Sequence, residues 1–447
     1  MSRQENSGDI QMCKLSQIAQ FLNGYAFKSK NYVDNGIRVI RIANVQDGYI
    51  VDDAPCFYPL DADEDVEKYS LFAGDLLISL TGNVGRVGIL PAAMLPAALN
   101  QRVCCLRIDE TIVDRKYLFY YLRQHQFMRD CVKASKGVAQ LNLSTKWLAD
   151  YEIPLPALDD QKRIVARIEE LFSELDNGVE TLRKTKQQLA VYRQAVLKGA
   201  FEGVFTKEWR VKHPNATAQQ IWLDISEKKN QSKNAKTYRL EERMQLSDLP
   251  DSWMWVNIGD ISHGPEYGTS QKSVDSGKVP VIRMGNLQNG VIDWTELVYS
   301  NDDAEITRYA LKAGDVLFNR TNSPELVGKT AIYRGEREAI FAGYLIRVNQ
   351  FDCINAEYLA YYMNSFTAKQ YGNKVKTDGV NQSNINGKKL CSYPFPLCST
   401  EEQAQIVYEL ESRLSVCDSI EKTVDTALQQ AEAMRQSILK KAFEGRL

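Results

Sequence analysis

The residues that most resemble catalytic motifs are few, and each set lacks a part that its chemistry requires. Gly328-Lys329-Thr330 is the nearest approach to a phosphate-binding loop, but Ser323 stands where the first glycine of that loop would be. Asn322-Ser323-Pro324-Glu325 is not the Asn/Asp-Pro-Pro-aromatic tetrapeptide expected of an adenine or cytosine methyltransferase. No Gly-x-Ser-x-Gly nucleophile motif occurs. The sequence therefore offers no set of residues to which a reaction can be assigned.

The histidines, cysteines and paired carboxylates do not indicate catalytic or metal chemistry either. The three histidines lie in unrelated surroundings, and the nine cysteines are an odd number without a Cys-x-x-Cys pair. Asp52-Asp53 and Asp302-Asp303 lie in polar, turn-like runs, where a solvated loop is the ordinary interpretation. We expect reduced thiols with packing roles, and neither a metal site nor a catalytic one.

Composition excludes several classes of protein but does not select one. The 447 residues include 55 Lys and Arg against 57 Asp and Glu, with 25% charged and 44% hydrophobic residues, so collagenous, disordered and histone-like chains are excluded. A net charge of −2 does not exclude nucleic acid, because affinity depends on how cations cluster. No apolar run approaches the ~20 residues of a membrane span, and the first residues lack a signal-peptide core. We expect a cytoplasmic location and no membrane partner.

An internal repeat in the sequence indicates which segments form the structural elements that position any functional residues. Gly137 to Gly203 aligns with Gly379 to Gly445 at a constant offset of 242 without a gap, and 26 of these 67 positions are identical. Upstream the match is looser and needs small gaps, although Val39-Ile40-Arg41 corresponds to Val281-Ile282-Arg283. The chain is therefore one unit written twice.

Each unit begins with short runs that are typical of strands. Ile37–Ile42 and Leu76–Leu80 are rich in β-branched and apolar residues and are bounded by Gly, Asn and Asp. Tyr117–Leu122 and Tyr358–Met363 predict buried helix faces, with stacking of bases on their tyrosines as the alternative. We therefore predict two mixed α/β (α+β) domains with small sheets: domain 1, residues 1–154, and domain 2, residues 251–396.

Each unit ends in a long amphipathic helix, predicted within residues 155–205 and 397–447. Apolar residues recur at alternating three- and four-residue steps, which is the pattern of a coiled coil. In the first helix they are Ile164, Ile168, Leu171, Leu175, Leu182, Leu189, Tyr192 and Val196. In the second they are Ile406, Leu410, Cys417, Ile420, Val424, Ala427, Ala431, Met434 and Ile438. Thr400 and Gln403 fit a capping box at the start of the second helix.

The coiled coil could form within one chain or between two chains. Two similar helices tethered in one chain meet at high effective concentration, so we expect an intramolecular antiparallel pair that makes the repeat pseudo-twofold. A homodimer zipper is the alternative. Residues 206–250 are predicted to be a partly solvated linker with one amphipathic turn around Ile221-Trp222-Leu223.

Several short motifs occur in both copies of the repeat. They are Gly137–Asn142, Ile153-Pro154-Leu155-Pro156, Gln161 and Ile164-Val165, with their repeats Gly379–Asn384, Pro394-Phe395-Pro396, Gln403 and Ile406-Val407. Together with the duplicated order of domain and helix, they resemble the specificity (S) subunits of type I restriction-modification enzymes. The resemblance covers essentially the whole chain. The second copy departs from it at Cys398, where the first has Pro156.

The resemblance implies two target-recognition domains held apart by an antiparallel coiled coil of two helical spacers. Each domain would read one half of an asymmetric, bipartite double-stranded DNA sequence. The chain would be a non-catalytic adaptor that docks two methyltransferase (M) subunits and, through them, the restriction (R) subunits. S-adenosylmethionine, ATP and Mg would belong to those partners, and no cofactor to this chain. The alternatives are a stand-alone DNA methyltransferase and a coiled-coil scaffold that binds only proteins.

Polar, glycine-flanked loops at equivalent places in the two copies supply the candidates for DNA contact. Arg and Lys suit phosphate and guanine, whereas Asn and Gln can pair with adenine; loop capping or an ordinary surface position is the alternative for each. In domain 1 the candidates are Tyr25, Lys28, Lys30, Arg41, Asn44, Gln46, Thr81, Asn83, Arg86, Asn100, Gln101, Arg102, Lys136, Gln140 and Asn142. In domain 2 they are Tyr267, Gln271, Lys272, Arg283, Asn286, Gln288, Asn319, Arg320, Asn322, Lys329, Lys376, Asn381, Gln382 and Asn384.

Partner docking is expected on the outward faces of the helices and at their repeated ends. Ala200-Phe201-Glu202-Gly203 and Ala442-Phe443-Glu444-Gly445 place one phenylalanine at an equivalent position in each copy. Two such aromatic side chains would suit two identical partner subunits. The alternative is that Phe201 and Phe443 fasten each helix end to the neighbouring domain.

Overall fold

The computed structural model describes residues 11–60, 64–137, 140–230, 245–380 and 382–447. The chain divides into two units. Unit 1 runs to Arg183 and also contains Asp425–Leu447, whereas unit 2 is Lys184–Val424. Each unit therefore combines one globular domain with one part of each long helix.

Domain 1 is built on small sheets whose strands are rich in aliphatic residues. An antiparallel sheet has the strand order Ala19–Asn23, Val103–Ile108, Leu76–Ser79, Val87–Ile89. A mixed sheet has the order Phe57–Tyr58, Ile37–Ile40, Ala97–Leu99, Ser70–Leu71, with its central pair parallel. Met12–Lys14 pairs with Glu152–Pro154, which places the start of the described chain beside the end of the domain. The strand Leu76–Ser79 is buried along its whole length, so its sheet is covered on both faces.

Four helices complete domain 1 in the described part of the chain. They are Glu64–Glu67, Arg115–Leu122, His125–Ala134 and Thr145–Ala149. Asp114 caps the second of these by accepting a hydrogen bond from the Tyr117 amide (2.9 Å). Tyr117, Leu118 and Leu122 are buried against the sheet core, which confirms the predicted buried helix face.

Domain 2 repeats the same plan. Its antiparallel sheet has the order Glu266–Tyr267, Leu345–Arg347, Asp315–Asn319, Thr330–Tyr333, and its mixed sheet the order Val298–Ser300, Val279–Ile282, Ile340–Phe341. Smaller pairings join Met254–Asn257 to Pro394–Leu397, Leu287–Gln288 to Val291–Ile292, and Ser383–Asn384 to both Thr321–Asn322 and Thr377–Asp378. Its helices are Asp303–Tyr309, Ala356–Met363, Phe366–Val375 and Gly387–Cys391.

The segment predicted as a linker contains two helices in its described part, Lys207–Lys212 and Ala218–Asn230. Ile221 and Ile225 are buried in the core of unit 2, which agrees with the predicted amphipathic turn. Glu402, a fully buried carboxylate, accepts hydrogen bonds from Arg210 (2.7 Å) and from the Trp253 indole (2.8 Å). The bond from Arg210 ties the segment to the second long helix, and the bond from Trp253 ties domain 2 to the same carboxylate.

The long helices are Leu158–Phe201 and Thr400–Phe443, each 44 residues and hence ~66 Å at 1.5 Å per residue. In unit 1, Ile168 and Phe172 share a buried cluster with Ile438 and Leu439. In unit 2, the other end of the first helix, including Leu197, shares a cluster with Ile406, Val407 and Leu410. The first part of each helix thus pairs with the last part of the other, which confirms an antiparallel pair within one chain.

The seam between the helices differs from the predicted stripe at several positions. Tyr192, Ile420 and Met434, expected in the seam, are 50%, 40% and 53% exposed, whereas Phe172, Leu197 and Leu439 are buried. Tyr192 and Met434 are repeat equivalents, and the residue after each is an arginine that crosses to the other helix. Arg193 binds Asp418 (2.7 Å) and Glu421 (2.9 Å), and Arg435 binds Asp176. At both places an ion pair takes the position expected for an apolar contact.

The predicted capping box at the second long helix is wrong. The cap is Ser399, whose Oγ accepts the Glu402 amide (3.1 Å), while Thr400 Oγ1 donates to the Cys353 carbonyl (3.1 Å). Gln403 is buried and bonded to residues outside the helix, because it accepts the Asn355 amide (2.8 Å) and donates to the Cys398 carbonyl (3.0 Å).

Candidate nucleic-acid interface

Two short 3-10 turns, Ile42–Asn44 in domain 1 and Met284–Asn286 in domain 2, each follow an arginine candidate and end in an asparagine candidate. The buried Asn44 accepts the Arg41 amide (2.8 Å) through Oδ1 and donates to the Val51 carbonyl (2.9 Å) through Nδ2. The equivalent bonds of Asn286 join it to the Arg283 amide (2.9 Å) and the Asp293 carbonyl (3.0 Å). Both side-chain amides are therefore buried and close their own turns, which is the loop-capping alternative.

The side chain of the arginine that precedes each turn donates a hydrogen bond to a backbone carbonyl that follows the turn in sequence. Arg41 Nη2 donates to the Ala54 carbonyl (2.7 Å), and Arg283 Nη2 donates to the Glu296 carbonyl (3.1 Å). Both side chains are only partly buried. Each guanidinium thus keeps donors that can reach a ligand at the surface.

A glutamine in each turn region holds a second cation. Gln46 donates to a carbonyl of its own turn (2.8 Å), and its Oε1 accepts a hydrogen bond from Arg86 Nη1 (2.9 Å). Gln288 likewise donates to a carbonyl of its turn (2.9 Å), and its Oε1 accepts from Lys329 Nζ (3.0 Å). The structure therefore builds the same glutamine-to-cation contact in both domains.

The loops that lead to these cations are bonded, near their first residues, to a segment that is distant in sequence. In domain 1, Thr81 Oγ1 donates to Asn142 Oδ1 (3.0 Å), and a Cβ placed on Gly82 would lie 3.9 Å from Gln140 Nε2. In domain 2, Asn384 Nδ2 donates to Thr321 Oγ1 (2.7 Å). These bonds place Asn142, and its repeat equivalent Asn384, beside the loops.

Further candidates of domain 1 lie next to this group. The Gln101 amide donates to the Tyr25 carbonyl (3.0 Å), and the Leu80 amide donates to the Arg102 carbonyl (3.0 Å). Lys136 pairs with Asn142 through both backbone bonds (2.9 and 3.0 Å). Lys28 is exposed at the start of the turn Ser29–Asn31, and no described contact links it to the others.

In domain 2 an arginine and two tyrosines form the corresponding surface. The Arg320 guanidinium lies over the Tyr267 ring at 5.1 Å and donates through Nε to the Gly343 carbonyl (2.9 Å). The Tyr267 hydroxyl accepts the Gly387 amide (2.8 Å), and the Arg320 amide donates to the carbonyl of Tyr344, which is 52% exposed. Sequence reasoning missed Tyr344, although it lies 242 residues after the candidate Arg102, which is the offset of the gapless repeat.

A groove of about 550 Å³ opens beside the turn of domain 2. Its lining combines the cations Arg283 and Lys329 with the side-chain amides of Gln288 and Asn322, and it also includes the carboxylates Asp293 and Glu296 and the apolar Met284 and Leu326. Lys376 approaches the same loop from another side, since its Nζ donates to the Pro324 carbonyl (3.0 Å). Donors of both cationic and amide type thus meet at one concave surface, which is the inventory that phosphates and base edges require.

The predicted site residues divide by exposure. Buried are Asn44, Thr81, Asn100, Asn286 and Asn319. Exposed are Lys28, Lys30, Asn83, Gln101, Arg102, Lys136, Gln140, Asn142, Tyr267, Gln271, Lys272 and Gln382, and partly buried are Tyr25, Arg41, Gln46, Arg86, Arg283, Gln288, Arg320, Asn322, Lys329, Lys376 and Asn384. Asn381 lies outside the described residues.

The cations of this surface differ from other arginines of the same domains in their partners. Arg38 binds Asp52 (3.1 Å) and Arg347 binds Asp315 (2.8 Å). Within the described ranges, no carboxylate lies within ion-pair distance of Arg41, Arg86, Arg102, Arg283, Arg320 or Lys329. Burial lowers the pKa of Lys369, and the nearby Lys329 cation lowers that pKa further. The six cations without a carboxylate partner therefore keep positive charge available for an anionic ligand.

The expectation that Phe201 and Phe443 face a partner is wrong for Phe201, which is 4% exposed, and is not met for the half-buried Phe443. The Phe201 ring packs against Tyr358 and Tyr362, both at 5.2 Å. The Phe443 ring packs against Tyr117 (5.2 Å) and Tyr121 (5.1 Å). Each phenylalanine fastens its helix end to a domain, which was the alternative.

The described ranges contain no group of three or more His, Cys, Asp or Glu side chains placed to hold a metal ion. All nine cysteines are free thiols. None of the helices in those ranges has the length and apolar character of a membrane span.

The sequence matches the family described as "Type I restriction modification DNA specificity domain" over residues 7–189 and again over residues 250–430. The two matches cover most of the chain and coincide with the two copies of the repeat. The chain therefore belongs to this family.

Several named relatives resemble the chain over nearly its whole length. It is 26% identical to the type I restriction enzyme EcoBI specificity subunit of Escherichia coli over 97% of this chain and 85% of that one. It is also 26% identical to the EcoKI specificity subunit of Escherichia coli strain K12, over 97% of this chain and 88% of that one.

Solved structures show the same fold at low identity. One is a chain from a study of complex assembly and conformational transition of the type I R-M system, with a TM-score of 0.68, 19% identity and 98% coverage of both chains. Another is the HsdS subunit from Thermoanaerobacter tengcongensis, with a TM-score of 0.50, 18% identity, and coverage of 98% of this chain and 97% of that one.

Proposed function

We propose that this chain is the sequence-specific DNA-recognition subunit of a type I restriction-modification system. Each domain reads one half of a bipartite, asymmetric double-stranded DNA site, and the paired long helices set the spacing of the two halves. The observation that carries this proposal is a cation held by a glutamine and not by a carboxylate, built once in each domain of a chain that belongs to the DNA specificity family.

The same proposal makes the chain an adaptor and not an enzyme. The reaction belongs to two methyltransferase subunits that dock on it and, through them, to restriction subunits, so S-adenosylmethionine, ATP and Mg are ligands of the partners. The outward faces of the long helices are the docking surface for those subunits. Tyr192 and Met434, at repeat-equivalent positions and both about half exposed, suit binding of two copies of one partner.

The proposed DNA contacts are the candidates that reach the surface. Exposed and partly buried cations supply phosphate contacts, and Asn83, Gln101, Gln140, Asn322 and Gln382 supply amides for base edges. The buried amides Asn44 and Asn286 position the turns instead.

Selection from a random DNA library tests this function. The full chain, purified with its methyltransferase partner, should enrich two short, unrelated sequences at a fixed separation. The chain alone, incubated with DNA and S-adenosylmethionine, should transfer no methyl group. Enrichment of no sequence would favour a scaffold that binds only proteins, and methyl transfer by the chain alone would show a stand-alone methyltransferase.

A further inference from the structure

The contact between a glutamine and a cation occurs at equivalent places in both domains, but with different cations. Two backbone bonds establish the equivalence in domain 1: the Ser79 amide donates to the Arg86 carbonyl, and the Gly85 amide donates to the Ser79 carbonyl (both 2.9 Å). In domain 2 the same bonds join Asn319 to Lys329 and Gly328 to Asn319 (both 2.8 Å). Arg86 and Lys329 therefore occupy one structural position.

The glutamine is placed to orient this cation. Gln46 and Gln288 each use the amide nitrogen on a carbonyl of their own 3-10 turn, which leaves the amide oxygen for the cation. A neutral oxygen holds the charged group without neutralising it, unlike a carboxylate. The cation keeps its charge and its remaining donors for a ligand.

The type of cation indicates what it contacts. A guanidinium can read guanine through two parallel hydrogen bonds, whereas an ammonium is a point charge without that geometry. The two domains use one of each at the same position. A phosphate oxygen accepts hydrogen bonds from both cations, so this position suits the sequence-independent part of the interface.

The loop that each such contact borders differs between the domains. Six residues, Leu80–Gly85, separate Ser79 from Arg86, whereas nine residues, Arg320–Gly328, separate Asn319 from Lys329. In domain 1 the Leu80 amide donates to the Arg102 carbonyl, and in domain 2 the Arg320 amide donates to the Tyr344 carbonyl (both 3.0 Å). Leu80 therefore corresponds to Arg320, and Arg102 to Tyr344. The surface beside the common cation thus has different length and chemistry in each domain.

We propose that Gln46 and Gln288 are positioning residues that hold Arg86 and Lys329 as a phosphate contact common to both domains, and that the loops Leu80–Gly85 and Arg320–Gly328 determine which bases each domain reads. This inference rests on the proposed function and names the residues that divide affinity from specificity. Two different half-sites require base-contacting loops that differ between the domains. These two loops differ in length and sequence, whereas the backbone bonds and the glutamine-to-cation contact beside them are the same in both domains.

Removal of the cation tests the phosphate contact. Arg86→Met and Lys329→Met, in the full chain with its methyltransferase partner, should each weaken binding about tenfold at low salt for every DNA sequence alike. Each should reduce the magnitude of the negative slope of log affinity against log salt concentration by about 1. Lys116→Met is the matched control. Lys116 lies on the helix Arg115–Leu122, outside this surface, and pairs with Glu169 (2.6 Å). The same loss of charge there should leave the salt dependence of DNA binding unchanged.

A double-mutant cycle tests the positioning role. Gln46→Leu should weaken binding by about two- to fivefold, because the cation loses its orientation. Added to Arg86→Met, it should have no further effect. Additive effects of the two substitutions would mean that Gln46 contacts DNA itself and would overturn the positioning role.

Exchange of the loop tests the specificity part. Replacement of Arg320–Gly328 by the residues of Leu80–Gly85 should change the half-site read by domain 2 and leave the other half-site unchanged. Arg320→Leu, which installs the equivalent residue of domain 1, should alter base preference in the same half-site without a large rearrangement. An unchanged half-site in both variants would overturn the loop assignment.

These outcomes are distinguishable from failure of the proposed function. If the unaltered complex binds no sequence selectively, the function fails. If it binds selectively but Arg86→Met changes base preference instead of lowering affinity uniformly, this inference fails and the function stands.

Discussion

Gln161 and Gln403 show why two identical glutamines stand at the start of the long helices. Both are fully buried. Gln161 accepts the Asp114 amide (2.7 Å) and donates to the carbonyls of Pro156 (2.9 Å) and Ile112 (3.2 Å). Each glutamine joins its helix to the residue that precedes a domain helix, so these motif residues are structural.

Gln161→Leu should lower the free energy of unfolding of unit 1 by about 3 kcal/mol, because several buried backbone groups lose their partners at about 1–3 kcal/mol each. Hydrogen exchange in the helix Arg115–Leu122, measured by mass spectrometry, should become faster. Gln187→Leu is the control: Gln187 is exposed on the same long helix, and its replacement should change exchange little. Unchanged protection in Gln161→Leu would contradict the structural role.

Burial of the cysteines determines how fast their thiols should react. Burial raises the pKa of Cys104 and of Cys131 to about 12, so almost none of either thiol is the reactive thiolate at pH 8. Cys105, Cys391, Cys398 and Cys417 are also buried. In the native protein at most three thiols, Cys13, Cys56 and Cys353, should react rapidly with a thiol reagent, and all nine should react after denaturation. Rapid reaction of six or more native thiols would show that the domain cores are open.

Residue types alone supplied the candidates for DNA contact, which stay predictions, but not the orientation of their side chains. The repeat identified the Arg, Asn and Gln positions, but it did not show that Asn44 faces inward while Gln46 reaches the surface. That difference arises because a 3-10 turn needs a side-chain oxygen to accept the Arg41 amide, and Asn44 supplies it. A one-dimensional pattern without strand or helix period does not carry this information.

At the scale of elements, the ends of the long helices are fixed by aromatic packing. Phe201 lies against two tyrosines of the helix Ala356–Met363, and Phe443 against two of the helix Arg115–Leu122. The tyrosine hydroxyls Tyr117 and Tyr358 in turn donate to the Pro154 and Pro396 carbonyls, both at 2.8 Å. Each helix end therefore joins the core of the domain that it contacts.

Phe443→Ala should destabilise unit 1 by about 3 kcal/mol, since truncation of a core phenylalanine costs about 3–5 kcal/mol and this ring is partly exposed. Exchange should accelerate in the helix Arg115–Leu122 and stay unchanged in the helix Ala356–Met363. Phe201→Ala is the matched variant and should show the reverse. Equal acceleration of both helices by either variant would contradict the assignment of each ring to one domain.

Helices and strands were predicted well where the spacing of apolar residues is strongly periodic, and less well where it is not. The heptad-like stripes predicted both long helices, and the tethering of two similar helices in one chain predicted their pairing within it. They placed Tyr192 and Met434 in the seam, because periodicity does not show that the neighbouring arginines Arg193 and Arg435 reach across to carboxylates. The predicted linker contains helices because its few apolar residues, such as Ile221 and Ile225, find a core that is distant in sequence.

At the scale of the whole molecule, each unit depends on residues that are far apart in the chain. Unit 1 contains domain 1 together with Asp425–Leu447, and unit 2 contains the last part of the first long helix. The gapless repeat from Gly137 to Gly203 made this duplication visible in the sequence. The difference in loop length between Leu80–Gly85 and Arg320–Gly328 was hidden, because the upstream parts of the repeat align only with gaps.

The central claim is that this chain selects DNA sites for an active site carried by another subunit. Genome-wide mapping of N6-methyladenine, in cells with and without this chain but with the methyltransferase subunit present in both, tests it most directly. We expect methylation at one bipartite sequence that disappears when the chain is deleted, and a change in one half of that sequence when domain 2 is altered at Arg320. Methylation at the same sites without the chain would contradict the account.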